Sequence, residues 1–311
     1  NASTVDTYNV AVGYNAGASV TTAVENTLIG GLAGSAMTTG GFNTAVGYLS
    51  GTAITTGTGN AFFGLRAGAG TTTGNANTFV GGSSNSYAGF ANTTGTNNTA
   101  VGTDALAANT TASNNVAVGM DALTANTTGA TNTAVGQGAL AANTTGANNT
   151  AVGSASLDAN TTGTQVSALG VQALGANTTG NSNTAVGYAA MFTNTTASNN
   201  TAMGLNSLYN NTDGSGNTAV GVNAALSNTT GANNVAIGYA SLDANTTAAN
   251  NTAVGQTALS AATTGGGNTG IGQAAMLANT TGVNNAAVGH QALKANTSAN
   301  DNTAMGVNAM L

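Results

Sequence analysis

The chain has 311 residues, of which 41% are apolar and only 3% charged, with Arg66 and Lys294 the two fixed cations and a formal net charge of -6. So few cations exclude a basic patch able to neutralise phosphates, and nucleic acid is not an expected partner. Cysteine is absent, which removes disulfides and thiolate metal sites, and no apolar run is long enough to span a bilayer.

From the first residues onward a single unit repeats. Glycines at 13, 30, 47, 64, 81, 102, 119, 136, 153, 170, 187, 204, 221, 238, 255, 272, 289 and 306 lie 17 residues apart, with one spacing of 21. The commonest unit reads N-T-A-V-G-x-x-A-L-x-A-N-T-T-G-x-N, as from Asn132 to Asn148. A unit this short cannot bury a core alone, so neighbouring copies must stack. The expectation is an all-β, parallel β-solenoid or β-roll of about 18 coils with 17 residues per coil. At ~4.8 Å per coil this gives a rod of roughly 85 Å.

In chain order, residues 1-81 form coils with glycine four residues after the repeat glycine: Gly17, Gly34, Gly51 and Gly68. Residues 82-97 hold the four extra residues, together with Tyr87 and Phe90. An insertion in a solenoid maps to a loop on one face, so this stretch reads as a joint and Tyr87 and Phe90 as a surface contact. Residues 98-311 form coils in which leucine or methionine replaces that glycine in nearly every copy. The chain stops at Leu311 in mid-unit, which reads as a piece whose ends continue into more protein or pack on other chains.

Within a coil, the residue before each repeat glycine is apolar in every copy, for example Val101, Val118 and Val135, and is expected to face the core. Threonine two residues earlier then shares that side of a short strand. A second short strand is expected around Ala105 and its equivalents. If Ala105 points inward, strand alternation turns Leu106 outward. Leu106, Leu123, Leu140, Leu157, Leu174, Leu208, Leu242, Leu259 and Leu293 would then make an exposed stripe too large for a monomer, which points to a partner-chain interface and a homo-oligomer. The alternative is that the turn resets the alternation and this column joins the core. Asparagine four before the glycine, present in all copies but that of Val166, and a second asparagine as at Asn109 and Asn126, are read as corner residues whose amides ladder from coil to coil.

The segments Asn9 to Tyr14, Asn43 to Tyr48 and Asn183 to Tyr188, reading N-V-A-V-G-Y or N-T-A-V-G-Y, resemble head repeats of trimeric autotransporter adhesins. They are also similar to the Asn/Thr/Gly-rich repeats of phage tail fibres and large bacterial surface proteins. The resemblance covers nearly the whole chain, although the unit here carries an added Thr-Thr-Gly corner. It implies a left-handed β-roll, three chains side by side, an extracellular place on a bacterial surface or virion, and a glycan or protein receptor.

Chemistry is sparse. His290 is the one imidazole and has no recurring acid or thiol to complete a triad or metal set, so no cofactor, metal or catalytic residue is expected. The acids Asp6, Glu25, Asp104, Asp121, Asp158, Asp213, Asp243 and Asp301 fall in no repeated calcium-binding column, although Asp104 and Asp121 are equivalent in adjacent coils. Asn-Thr-Thr and Asn-Asn-Thr match the glycosylation pattern, which so biased a composition produces by chance. The function expected is a non-enzymatic extracellular fibre segment for attachment or display. The alternatives are a self-polymerising filament and an ice-binding solenoid that uses its threonine ladder.

Overall fold

The computed structural model of the chain describes residues 7–311, so Asp6 lies outside the described residues. Every regular element among them is a three-residue strand centred two residues before a repeat glycine, from β1 (Val10–Val12) through β9 (Thr150–Val152) and from β10 (Ser167–Leu169) through β18 (Thr303–Met305). The described residues contain no helix. They cluster into two compact units that divide between Ala155 and Ser156. In the first, β1 to β9 pair in sequence order, all parallel, and equivalent residues stand opposite one another, as Thr133 opposite Thr150. In the second, β10 to β18 do the same, as Thr184 opposite Thr201. Each unit is a parallel β-solenoid with one coil per sequence repeat.

The four-residue excess of the longer coil leaves this pairing intact. β5 (Thr78–Val80) meets β6 (Thr99–Val101) in the common register, and the extra residues form a tight excursion between Gly82 and Tyr87. Ser83 N–H donates to the Ser86 carbonyl at 2.8 Å across its turn. The insertion lies inside the first compact unit.

The strand faces the opposite way from the sequence expectation. Its central residue is the buried one, as at Ala117, Ala134, Ala185 and Ala219, whereas the residue before the glycine is half-buried or exposed, as at Ile29, Met203 and Ile237. The leucine column is also corrected. Leu106, Leu123, Leu140, Leu157, Leu174, Leu208, Leu242 and Leu259 are fully buried within their own chain, and Leu293 nearly so. They cannot form a partner-chain interface. The reason is the backbone: no second strand follows the glycine, and left-handed residues stand two and four places after it, as at Asp121 (φ 59) and Leu123 (φ 53). Each left-handed residue breaks the alternation of a strand, so Ala122 and Leu123 both point inward.

A leucine held left-handed costs about 1–2 kcal/mol, and burying its side chain returns about 1.5–3 kcal/mol. Burial therefore wins by a small margin. Where the same place is glycine, the core is filled from elsewhere. Three of the strand centres there are enlarged to Leu28, Phe62 and Phe79, and Met37 and Ile54 fill the turn after the glycine, the latter in the coil whose strand centre is Ala45; all of these are buried. A Cβ on Gly68 would come within 2.6 Å of the Phe62 ring. Phe62 and Phe79 stack in parallel at 5.0 Å inside the roll. The two coil types are thus two ways to fill one narrow interior.

Two asparagine ladders run through that interior. In the first, Asn115 Oδ1 accepts the backbone N–H of Asn132 at 2.9 Å, so a side chain supplies an acceptor for a main-chain donor of the next coil. In the second, Asn126 Nδ2 donates to Asn109 Oδ1 at 3.1 Å and Asn143 Nδ2 donates to Asn126 Oδ1 at 2.8 Å. Both meet at one carbonyl: Gly146 O accepts from Asn132 Nδ2 at 2.9 Å and from Asn143 Nδ2 at 3.0 Å. The expected amide ladder is present, but these asparagines are core residues. The left-handed corner belongs to the exposed residue just before the first ladder, such as Asn114 (φ 63) and Asn148 (φ 60).

The repeat glycine is fixed by contact with the next coil. At Gly119, φ is 129 and an added Cβ would meet the Gly136 carbonyl oxygen at 2.6 Å.

Two substitutions test this account of the core. Asn126→Ala breaks three amide bonds and is expected to lower stability by about 2–4 kcal/mol, since each orphaned buried group costs about 1–3 kcal/mol. Phe62→Ala should cost about 3–5 kcal/mol, and adding Gly68→Leu should recover much of that loss, whereas Gly68→Leu alone should destabilise. Denaturant titration of the four variants measures both effects.

Candidate functional site

Since the side chains inward of the strand are small and enclosed, recognition must use the outer faces. The residues just before and just after the repeat glycine are half-buried or exposed. The column before the glycine is apolar in every copy and makes a continuous stripe in each unit, widened by apolar residues of the column after it except where that is Gly, Thr, Ser, Gln or His, as at Gln256, Gln273 and His290. In the second unit the stripe contains Leu169 and Val171, Met203 and Leu205, Ile237 and Tyr239, each exposed by 39–55%. In the first it includes Ile29, Tyr48, Val101 and Met120. With roughly 150–250 Å² for an aromatic side chain and somewhat less for an aliphatic one, the exposed apolar part of the second unit's stripe is on the order of 800 Å². That exceeds the ~300–600 Å² of the largest patch on a typical monomer. The sequence reading found an apolar stripe of about this extent but placed it on the wrong column. His290, after Gly289, is exposed at the far end of this stripe.

The second surface surrounds the insertion. Tyr87 and Phe90 lie together with ring centroids 5.2 Å apart, tilted by 39°. The guanidinium carbon of Arg66 sits 5.4 Å from the Tyr87 ring centre, a cation–π contact. Tyr87 is anchored at both ends: its N–H donates to Asp104 Oδ1 at 3.0 Å and its hydroxyl donates to the Ser84 carbonyl at 2.8 Å. Beside these rings is an open groove of about 370 Å³ lined by Leu49, Thr52, Arg66, Ala69, Gly70, Phe90 and Ala91. The floor is low because Ala69 and Gly70 are small, and Phe90 stands where the three preceding coils carry Ser35, Thr52 and Ala69. Tyr87 is half-buried and Phe90 exposed, and the sequence pattern does not associate Arg66 with them.

The threonine pairs divide their roles. The first member donates its hydroxyl to the equivalent carbonyl in the next coil, as Thr127 Oγ1 to Thr144 O at 3.1 Å. The second member, as at Thr111, Thr128 and Thr145, is exposed. Among the described residues no three His, Cys, Asp or Glu side chains group to hold a metal ion.

Asp158 and Asp243 share an outward column, and burial pushes the carboxyl of each above its usual range, opposed by backbone N–H groups including those of Ala159 and Ala244. Phe192 overhangs the gap at Gly175, where an added Cβ would meet the ring at 3.0 Å and Asp158 Oδ1 at 3.5 Å.

No protein-family model matches the sequence, and a search of curated proteins finds no relative. No helix among the described residues is long and apolar enough to cross a membrane.

A folded-state carboxyl pKa above the unfolded value of ~3.9 means that the fold prefers the protonated acid. This contribution to stability is full below ~3.9 and is lost as pH rises through the shifted value. Asp158→Asn and Asp243→Asn should therefore be at least as stable as the parent at neutral pH, and the double variant should flatten the pH dependence of Tm above ~pH 4. Thermal melts across a pH series check the sign.

Proposed function

We propose that this chain is a non-enzymatic structural fibre segment outside the cell, the shaft or head of an adhesin or tail fibre, used for attachment or display. The single observation that carries the reading is the apolar stripe beside the repeat glycines, which continues from coil to coil in each unit. Its area in one unit is close to the ~800 Å² per partner of a standard protein interface. An uncharged stripe with a step of one coil is best matched by a surface of the same step, and another copy of the chain offers one. The partner is therefore a homo-oligomer, and a trimer is favoured because the adhesin resemblance implies three chains side by side. A cell-surface glycan or protein is the proposed receptor.

The fold suits a load-bearing role. Backbone groups bond to the coils on either side, and the ladders add side-chain bonds inside, so mechanical resistance does not depend on disulfides.

Ice adsorption is a second reading, favoured by the exposed threonine column at Thr111, Thr128 and Thr145. Thermal hysteresis separates the two: a clear freezing-point gap at high concentration supports ice binding, and none removes it. A self-polymerising filament differs in appearance, since negative-stain images would show rods of unlimited rather than fixed length.

Sedimentation equilibrium of the chain should give three copies per particle. Leu205→Lys combined with Tyr239→Lys should dissociate the particle while leaving the circular dichroism spectrum unchanged. A monomeric parent protein would defeat the self-association reading.

A further inference from the structure

We propose that the groove beside the insertion binds a carboxylate carried on a small apolar body, such as an aromatic or branched aliphatic acid. This inference is independent of the fibre reading, because the groove is built within the first unit and uses a different set of outward residues.

Three features support it. First, Arg66 is one of two fixed cations in the chain, and among the described residues it forms no ion pair; its guanidinium lies against the face of Tyr87. Arg66 is a half-buried residue that lines the groove, and among the described residues its side chain makes no hydrogen bond to a protein acceptor. A planar fork of donors matches a carboxylate in bidentate geometry. Second, the rest of the lining is chiefly apolar: Leu49, Ala69, Gly70, Phe90 and Ala91, with Thr52 as the other polar side chain. Thr52 Oγ1 already bonds to Ser35 Oγ at 3.0 Å. A ligand rich in hydroxyl groups would lose hydrogen bonds to water in such a groove, whereas a hydrocarbon body would not. Third, the volume of about 370 Å³ lies near the lower end of the roughly 300–1,000 Å³ common for ligand sites, so the body is about one ring in size.

The site is also held in place. Asp104 Oδ1 fixes the backbone of Tyr87, Tyr87 packs on Phe90, and Arg66 lies against Tyr87. The one departure from 17-residue spacing thus carries the ring that positions Arg66. The acid could be a free metabolite or the terminal carboxylate of a peptide that ends in an apolar residue, and the two sources share this chemistry.

The test uses the whole chain with 4-fluorophenylacetate as probe, followed by fluorine NMR. Saturable shifts and line broadening are expected, with at least a ten-fold loss of affinity in Arg66→Gln, a smaller loss in Arg66→Lys, and a loss in Phe90→Ala. 4-Fluorobenzylamine and 4-fluorobenzyl alcohol should bind at least ten-fold more weakly than the acid. Competition by N-acetyl-phenylalanine, compared with its amide, then assigns a peptide terminus or a free acid as the better source. Circular dichroism confirms that each variant is folded. If binding is not saturable, if the alcohol binds as well as the acid, or if folded Arg66→Gln keeps the parent affinity, the proposal is overturned.

Discussion

Each coil depends on lying directly over its neighbour, in register, because its polar backbone can be satisfied in no other way. The strand is only three residues long and bonds to equivalent residues above and below. The remainder of the coil is a chain of turns, and it too sends N–H groups to the next coil, as Leu123 to Ala139 at 3.0 Å and Thr127 to Thr144 at 3.0 Å. Where the backbone lacks a carbonyl at the right place, an asparagine oxygen substitutes for it. A shift of one residue would separate both ladders and place every repeat glycine against a side chain. This explains why the glycine and the first ladder asparagine tolerate so little variation along the chain.

The same constraint makes the interior narrow and the outside free to vary. Small alanines at the strand centre allow one leucine or methionine from the turn, and where the turn carries glycine the space is taken instead by a larger strand centre, as at Leu28, Phe62 and Phe79, or by Met37 and Ile54. Outside, nearly any residue can occupy a column without disturbing the stack, so tyrosine, glutamine, valine and histidine follow one another after the repeat glycine. Two outer features carry the functional readings. One is the continuous apolar stripe, and the other is the insertion that brings Tyr87 and Phe90 to Arg66.

The period, the parallel register, the strand position and the asparagine ladders were legible in the sequence because each repeats every 17 residues. The facing of the side chains was not. An unbroken apolar column suggests that Val101 faces inward, and strand alternation after an inward Ala105 turns Leu106 outward; Val101 is exposed and Leu106 buried. The missing information was backbone handedness, which leucine does not advertise. A signal was nevertheless present. Gly17, Gly34, Gly51 and Gly68 occupy the leucine place, and Asp104, Gly138, Asn206 and Asn223 stand two residues earlier, all types that accept a positive φ. Read together, these columns mark two left-handed turns and place the leucines inside. The groove at Arg66 was less accessible, since it depends on residues from three coils that share no motif.

Direct superposition of the coils is best tested by distances between spin labels on the exposed threonine column, where the absence of native cysteine leaves the labels unambiguous. Within the second unit, labels at Thr179 and Thr230 are three coils apart, and labels at Thr179 and Thr281 are six coils apart. At ~4.8 Å per coil, double electron–electron resonance on dilute labelled chains should show the second distance longer than the first by about 14 Å, with narrow distributions. Equal distances, or broad distributions without this increment, would contradict the stacked solenoid.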